Sequence, residues 1–198
     1  MAEQLDALPT ARGRAKAERR DALLANAAQL FADRGFDGVS IEDLGSSVGV
    51  SGPAVYRHFP SKQAVLAALL IEVSEGLVEG GRRVIATAPD SRAALSALVE
   101  FHVEFALSNP DVIVVQDRDL ASLTDDDNQA VRRLQRTYID AWVDVLADLH
   151  PGIPRSDLRI RARATFGLIN STPHSARSAA RASVRTLLAA MALAALTS

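Results

Sequence analysis

The sequence predicts an all-α protein of about nine helices, in which a small N-terminal head of three helices precedes a larger helical body. Two observations support this fold class. Apolar residues recur at intervals of three and four through most of the 198 residues, as on one face of an amphipathic helix. Glycine, proline and Asn-Pro interrupt this pattern at spacings that suit helices of ordinary length. We divide the chain into a flexible basic arm over residues 1–14, the head over residues 15–62 and the body over residues 63–198.

The head begins with a predicted helix from about Ala15 to Arg34, which the following glycine ends because glycine accepts a positive φ. A second helix starts after Ser40, a residue type suited to an N-cap, and ends at Gly49. Ser51 is placed to cap a third, short helix, whose first turn tolerates Pro53 since the N–H groups there have no intrahelical partner. Two short helices joined by a tight glycine turn form a helix-turn-helix.

The run VYRHFPSK, from Val55 to Lys62, is more specific than the helix-turn-helix pattern alone. It resembles the end of the DNA-binding domain in the tetracycline-repressor (TetR/AcrR) family of bacterial transcriptional regulators, and the resemblance is strong from about Arg19 to Leu70. It implies that Tyr56 and Lys62 contact phosphates of double-stranded operator DNA and that Ser51 to Ala54 face base edges. The candidate DNA-binding residues are Arg12, Arg14, Ser40, Ser51, Gly52, Pro53, Ala54, Tyr56, Arg57, His58 and Lys62.

The formal net charge of −2 looks unsuited to a DNA-binding protein until the charges are located along the chain. Residues 12–20 contain a single acid, Glu18, and a group of bases: Arg12, Arg14, Lys16, Arg19 and Arg20. Such a segment is suited to contacts with phosphates or with the minor groove. The alternative is a solvated, disordered N-terminus, which we expect for residues 1–10.

Composition and sequence pattern argue against several classes of protein. The chain has no cysteine, which excludes disulfides and thiolate metal sites and is compatible with a reducing cytoplasm. The stretch from Met1 to Leu8 is polar and acidic and lacks the pattern of a signal peptide. The most apolar stretch, Leu187 to Leu196, is about half as long as a segment that crosses a bilayer. We expect a soluble cytoplasmic protein without a membrane partner.

The body is predicted to contain the remaining helices. The first is capped by Ser61 and is longer than the head needs, so we expect it to link the head mechanically to the body. The run Val112 to Val115 is β-branched but short and flanked by helices, so we predict a buried helical turn, with a strand as the alternative. Asp125 to Asp127 fall in the first turn of the next helix, where carboxylates complement the dipole; a cation site is the alternative. Other helices are predicted over Ser91 to Ser108, about Ser156 to Asn170 and about Ala176 to Leu196.

The sequence shows no pattern typical of catalysis or of a bound cofactor. Its four histidines, His58, His102, His150 and His174, are far apart and have no metal-binding spacing. No nucleophile elbow, phosphate loop or dinucleotide fingerprint occurs. We therefore predict no catalytic residue, no metal and no cofactor. Two alternatives to a DNA-binding regulator remain, a helical adaptor and an all-α enzyme of an unfamiliar type.

The aromatic residues of the body indicate a sensor for a small molecule. In the family that the head resembles, the helices that carry them pack together, which implies an aromatic-lined cavity for a mostly apolar ligand. Residues 116–120 and 170–174 resemble segments of actinobacterial relatives that control acyl-CoA, fatty-acid or branched-chain catabolism, which implies a small hydrophobic or acyl-type effector. Plain core packing is the alternative for each aromatic residue. The candidate ligand-binding residues are Phe101, Phe105, Gln116, Arg118, Tyr138, Trp142, Phe166, Asn170 and His174.

The last two predicted helices are apolar, and the second of them is dense in alanine. Small side chains let helices approach closely, and such a face is costly to leave in water. The resemblance implies that this pair forms a four-helix bundle with its copy across a two-fold axis, so that a homodimer presents two heads to a palindromic operator. The alternative is that both helices pack entirely inside one subunit. We expect the homodimer to act as a repressor that its effector releases from DNA.

Overall fold

The computed structural model describes residues 11–175 and 180–198, and only the backbone of residues 11 and 12. Within these ranges the regular structure is entirely helical, which confirms the predicted all-α class. No helix in the described ranges is both long enough and apolar enough to span a membrane. The elements are α1 (Ala11–Arg34), α2 (Ile41–Ser47), α3 (Gly52–Val55), α4 (Lys62–Thr87), α5 (Ser91–Ser108), α6 (Pro110–Asp119), a 3₁₀ turn (Leu120–Ser122), α7 (Asp125–Leu149), α8 (Arg155–Ile169), α9 (Thr172–Ser175) and α10 (Arg181–Thr197).

The first helix is longer than predicted. α1 begins at Ala11 rather than at about Ala15, because alanine and arginine favour the helix and carry it into the predicted arm. Arg14 is therefore an exposed residue of α1 and not part of a flexible arm. The side chain of Arg12, which was also predicted to contact DNA, lies outside the described part of the structure.

The helices of the body follow the prediction, with one short helix added. The run Val112 to Val115 belongs to α6, which confirms its helical interpretation. A short helix, α9, forms where the sequence predicted only a break after Asn170. The last helix begins at Arg181, while residues 176–179, where its start was predicted, lie outside the described ranges.

The head is built around two glycine turns. Gly35 follows α1 with a φ of 79°, and Gly49 separates α2 from α3 with a φ of 70°, a region that favours glycine. Ser40 forms a capping box with Asp43: its hydroxyl accepts the Asp43 N–H at 3.0 Å, and the Asp43 carboxylate accepts the Ser40 N–H at 2.9 Å. These local contacts hold α2 and α3 in the predicted helix-turn-helix.

Two hydrophobic cores divide the protein, and α4 takes part in both. Its first turns, from Val65 to Leu70, pack in the head core with Phe31 of α1. Further along, Val78 packs in the body core. α6 also connects the two, since Val115 belongs to the head core and Ile113 to the body core. α7 does the same, since Val131 belongs to the head core and Trp142 to the body core. The head core therefore extends beyond residue 62, and these three helices pass between the head and the body.

The outer faces of α8 and α10 leave large apolar side chains in solvent. Ile160 on α8 is 66% exposed, and Leu187 and Met191 on α10 are 60% and 44% exposed. Leu188, by contrast, is buried in the body core. Because α10 packs against α8, the exposed residues belong to neighbouring helices. An exposed apolar surface of this kind is typical of an interface.

Candidate DNA-binding surface and effector cavity

The end of the helix-turn-helix presents polar and aromatic groups to solvent. Val55 is buried in the head core, whereas Ser51 and Pro53 are exposed and Tyr56 is 55% exposed. Arg57 is also exposed. A tyrosine hydroxyl and a guanidinium beside a short, accessible helix are suited to contacts with phosphates and base edges.

Three other predicted DNA contacts are buried, half-buried or hydrogen-bonded within the head. Gly52 is buried, and a Cβ at this position would come within 3.2 Å of the Glu42 carboxylate. Ala54 is half-buried. Ser40 is exposed, but its hydroxyl accepts the Asp43 N–H and donates to the Asp43 carboxylate at 2.6 Å. Its hydroxyl is thus engaged in the cap of α2.

Lys62 was predicted to contact a phosphate, but its ammonium is directed into the head. Nζ donates to the carbonyl oxygens of Phe36 at 2.7 Å and Val39 at 2.8 Å, and it lies 4.3 Å from the centre of the Phe36 ring. Two carbonyl acceptors and an aromatic face together stabilise an ammonium group. Because an ammonium has three N–H donors, only one is left for a phosphate. Lys62 thus ties the connection between α1 and α2 to the start of α4, and its phosphate contact stays a prediction.

Basic side chains of α1 meet the end of the helix-turn-helix at His58. Its Nδ1 atom is buried and has no hydrogen-bond partner among the described residues. Burial, together with the nearby cations Lys16, Arg19 and Arg20, lowers the pKa of His58 below its ordinary value. Arg20 pairs with Glu72 of α4, whereas Lys16 and Arg19 are exposed. The positive potential at this corner of the head is suited to an anionic partner such as DNA.

A cavity of about 210 Å³ opens where helices α4 to α8 meet. Its wall combines aromatic and aliphatic side chains with a smaller number of polar groups, which is typical of a small-molecule site. It lies between the two cores, since Val112 of its wall packs in the head core and Ile113 in the body core. The lining residues are Ser74, Leu77, His102, Phe105, Val112, Ile113, Gln116, Leu134, Gln135, Tyr138, Ile139, Arg163, Phe166 and Asn170.

Five of the nine predicted ligand-binding residues line this cavity. The rings of Tyr138 and Phe166 are stacked, with 5.6 Å between their centroids and 4° between their planes, and form a flat apolar wall. Asn170 lies on the same face of α8 as Phe166, one turn further along. The five are Phe105, Gln116, Tyr138, Phe166 and Asn170.

The other four predicted residues do not line the cavity. Trp142 is fully buried one layer behind the wall, with its ring edge-on to Phe166 at 4.9 Å. Phe101 packs against a glycine of α4. His174 is exposed on α9, and Arg118 bonds to the head. The spacing of apolar residues puts Phe101 and Trp142 on inner helix faces. It does not indicate how deeply each side chain is buried or how neighbouring helices cross.

His102, which was not among the predicted ligand-binding residues, is a buried polar group of the cavity wall. Its Nε2 lies 3.2 Å from Asn170 Oδ1, and its Nδ1 lies 3.4 Å from the Tyr138 hydroxyl. Burial lowers the pKa of His102 to about 4, so the ring is neutral near pH 7 and carries one N–H. With the Asn170 oxygen as acceptor, that N–H belongs to Nε2, and Nδ1 accepts from the Tyr138 O–H.

Gln135 and Arg163 also line the cavity and were missed. A sequence signal existed for two of the missed residues. Arg163 precedes Asn170 by seven positions, which is two helical turns and the same face of α8. His102 precedes Phe105 by three positions and faces the same side of α5. A charged or titratable side chain on an inner face adds nothing to the apolar periodicity, so neither residue stands out in the sequence.

Acid is expected to destabilise the protein through His102. The pKa of this residue is about 4 in the folded state and 6.5 in its ordinary state, so between these pH values the unfolded chain binds more protons. The free energy of unfolding therefore falls as the pH drops below about 6.5, by on the order of 2 kcal/mol between pH 7 and pH 5. His102→Gln keeps a hydrogen-bonding side chain and should remove this part of the pH dependence. Urea unfolding at the two pH values measures it, and identical pH dependence in both proteins would contradict the assignment.

Arg118 attaches α6 to the C-terminal end of α1. Its guanidinium donates to the carbonyl oxygens of Phe31 and Ala32 in the last turns of α1, the latter at 3.1 Å. Such carbonyls at a helix end are natural acceptors for a cation. The same guanidinium bonds both carboxylate oxygens of the buried Asp119, at 2.9 and 3.0 Å. α6, which lines the cavity through Gln116, is thereby joined to the head.

Comparison with known proteins agrees with this arrangement of head and body. A family model described as bacterial regulatory proteins, tetR family, matches residues 23–69. A second, described as tetracyclin repressor-like, C-terminal domain, matches residues 88–193, which is more than half of the chain. The HTH-type transcriptional repressor KstR2 of Rhodococcus jostii (strain RHA1) is 30% identical over 153 residues, which cover 76% of this chain and 75% of KstR2.

Solved structures share the architecture. A TetR-family transcriptional regulator from Bordetella parapertussis 12822 aligns with a TM-score of 0.79 at 26% identity, over 88% of this chain and 93% of that one. The transcriptional regulator FadR from Bacillus subtilis, in complex with stearoyl-CoA, aligns with a TM-score of 0.72 over 88% of this chain and 98% of that one. At 13% identity, the likeness to FadR concerns the fold alone. The family models and the identity with KstR2 establish that this chain belongs to the tetR family of bacterial regulatory proteins and is a DNA-binding transcriptional regulator.

Proposed function

We propose that this protein is a homodimeric repressor whose two heads bind a palindromic operator and whose body releases DNA when a small hydrophobic or acyl-type effector binds. Residues 15–62 contact the DNA, and residues 63–198 bind the effector and dimerise. The observation that carries this proposal is the position of the cavity between two cores, on helices α4 and α6 that also pack in the head. A ligand that favours one arrangement of these helices has a physical route to the DNA-binding surface.

The exposed apolar residues of α8 and α10 support a second copy of this chain as the occupant of that face. On α10, Leu187, Ala190 and Met191 are exposed at helical spacing, and on α8 Ile160 and Ala164 are exposed one turn apart. A two-fold axis pairs such a face with the same face of the copy, so the exposed apolar residues of each subunit are covered by those of the other. A dimer also supplies the second recognition helix, which reads the half-site roughly 34 Å away on the duplex.

The size of the cavity supports a small effector. Its volume of about 210 Å³ is below the range of roughly 300–1,000 Å³ for pockets that enclose drug-sized ligands. FadR from Bacillus subtilis, which shares the fold, was solved with stearoyl-CoA. The smaller cavity here supports a much shorter acyl chain, whose apolar part fits between the rings of Phe105, Tyr138 and Phe166.

We also propose that the protein acts in the cytoplasm, where the chromosome lies, and has no catalytic activity. The polar groups of the cavity support the second point. The Ser74 hydroxyl donates to the carbonyl oxygen of Leu70 at 2.7 Å and not to a base. His102 is bonded on both sides and neutral, so neither group is arranged as an activated nucleophile.

Tyr56→Ala is expected to weaken binding to the operator and to random DNA by a similar factor of about ten, because it removes a phosphate contact that carries no sequence information. Fluorescence anisotropy with DNA from upstream of the protein's own gene measures both affinities. Arg83→Ala, in an exposed residue on the far half of α4, is the control and should bind as the wild type does. Wild-type affinity of Tyr56→Ala for both DNAs would remove Tyr56 from the interface. A wild-type protein that binds no upstream sequence better than random DNA would mean that this DNA contains no operator.

A further inference from the structure

Two ion pairs connect α7 and α8 in a regular register. Arg155 pairs with Asp144, and Arg159 pairs with Asp140. From one pair to the next, the position moves forward by four residues on α8 and back by four on α7. This is the register of two antiparallel helices, in which each step is about one helical turn.

The next position in this register has no acid. One turn beyond Arg159 lies Arg163, and one turn before Asp140 lies Arg136, so the register sets a second arginine where an aspartate would be expected. Both arginines are exposed, and neither has an ion pair or a side-chain hydrogen bond in the described part of the chain. Asp140, the nearest acid along the register, is engaged by Arg159.

The position one helical turn further along the register also lacks an acid. There, Arg132 of α7 lies opposite Gly167 of α8, so a third basic residue faces a position without a carboxylate. Cations gathered in this way repel one another, and a bound anion relieves the repulsion. These arginines therefore lack the carboxylate partners that Arg155 and Arg159 have nearer the start of α8.

One member of this group, the exposed Arg163, lines the effector cavity. Arg163 lines the cavity together with Phe166 and Asn170, and the three fall on one face of α8. Along that face the wall changes from a guanidinium to an aromatic ring and then to an amide bonded to the buried His102. A ligand that follows the wall meets a cation at the exposed end and apolar surface further in.

We propose that Arg163 and Arg136 form an anion site that binds the phosphate groups of a short-chain acyl-CoA, while its acyl group occupies the cavity. The inference rests on the proposed function, because it assumes that the cavity holds the effector. About 210 Å³ leaves no room for a nucleotide, so the charged part of such a ligand remains outside, at the mouth. More than one unmatched guanidinium favours the several charges of a phosphate-bearing thioester over the single charge of a free carboxylate.

Arg136→Asp tests the proposal, because it places an acid at the position of α7 that lies opposite Arg163 in the register. The new aspartate should pair with Arg163 as Asp140 does with Arg159, and so remove the anion site while preserving the fold. Arg133→Asp is the matched control: it makes the same charge change on the same helix, at an exposed residue outside the register. Isothermal titration of the full-length proteins at low salt would use coenzyme A, hexanoyl-CoA, hexanoate and the uncharged thioester S-hexanoyl-N-acetylcysteamine as probes.

The wild type is expected to bind hexanoyl-CoA at least about tenfold more tightly than hexanoate or the uncharged thioester, with the advantage decreasing as salt rises. Arg136→Asp should lose this advantage and still bind the uncharged thioester as before, while Arg133→Asp should retain it. Equal affinities of the wild type for charged and uncharged thioesters, or an unchanged advantage in Arg136→Asp, would overturn the anion site. If hexanoate bound as tightly as hexanoyl-CoA, and both bound about tenfold more tightly than the uncharged thioester, the site would bind a carboxylate and the proposed phosphate recognition would be wrong.

Failure of this inference is distinguishable from failure of the proposed function. The titrations contain no DNA, whereas operator release is measured separately by anisotropy. If the uncharged thioester binds and releases the operator but the charged probes have no advantage, the anion site is wrong and the repressor proposal stands. If coenzyme A binds through Arg136 but no acylated probe affects the operator, the anion site stands and the acyl effector is wrong.

Discussion

Leu187→Glu combined with Met191→Glu is expected to convert the dimer into a monomer and to lower its affinity for a palindromic operator by at least about a hundredfold. Both side chains are exposed apolar residues of α10. On the proposed two-fold face each substitution occurs twice, so the interface would have to bury four carboxylates, and burying an unpaired charge costs several kcal/mol. A monomer retains one head and therefore one half-site. Size-exclusion chromatography with light scattering measures the assembly, and anisotropy measures the affinity.

The controls separate the interface from the fold. Leu187→Met combined with Met191→Leu conserves volume and apolar character, so the dimer and its operator affinity should both persist. Leu188→Glu is different, because Leu188 is buried in the body core and a carboxylate there should unfold the body. A doubly substituted glutamate protein that remains a dimer would mean that another face of the molecule forms the interface.

The distinction between Leu187 and Leu188 illustrates what sequence reasoning achieves on an alanine-rich helix. Spacing identified the helix, but alanine and leucine occur on every side of α10, so the pattern does not separate the face that packs inside the subunit from the face left exposed. The structure distinguishes the two faces, because Leu188 is buried in the body core, where α10 packs against α5 and α8. In the head the pattern is sharper, because Ser40 and Gly49 bound α2 with interactions that are local in sequence.

Long cationic side chains were the least predictable. The family resemblance implies a phosphate contact for Lys62, and Arg118 is predicted to be a polar group of the ligand site. Both, however, donate to backbone carbonyl oxygens of α1 or of the segment that follows it. A carbonyl acceptor leaves no trace in a sequence, since every residue has one. The same limit applies to His102, whose role depends on how completely α5, α7 and α8 bury it.

Arg118→Met combined with Asp119→Asn is expected to leave both binding events intact and to uncouple them. The guanidinium of Arg118 joins α6 to the last turns of α1, and α6 lines the cavity through Val112, Ile113 and Gln116. Removing both charges together avoids leaving the buried Asp119 carboxylate without its partner, which would destabilise the fold. The cavity and the DNA-binding surface are otherwise unchanged.

The coupling is measured as the factor by which a saturating ligand weakens operator binding. Typical allosteric factors are roughly 5–150, and we expect a short-chain acyl-CoA to produce a factor in this range with the wild type. In the doubly substituted protein the factor should fall below about three. Ligand binding itself is followed by the emission of Trp142, the single tryptophan, whose ring lies against Phe166 of the cavity wall. The emission change and the ligand affinity should match those of the wild type.

The matched control neutralises an ion pair that does not touch the head. Arg155→Met combined with Asp144→Asn removes a pair between α7 and α8 and should retain the wild-type coupling factor. If the Arg118 variant also retains it, the signal passes through α4 or α7, since both helices line the cavity, at Leu77 and Tyr138, and both pack in the head core, at Leu70 and Val131. Loss of coupling with unchanged ligand affinity would instead show that α6 transmits the signal. A ligand shifts operator binding only by its differential affinity for the DNA-bound and released states, and this variant would have lost that difference. The bond from Arg118 to the end of α1 is the contact of α6 that this substitution removes.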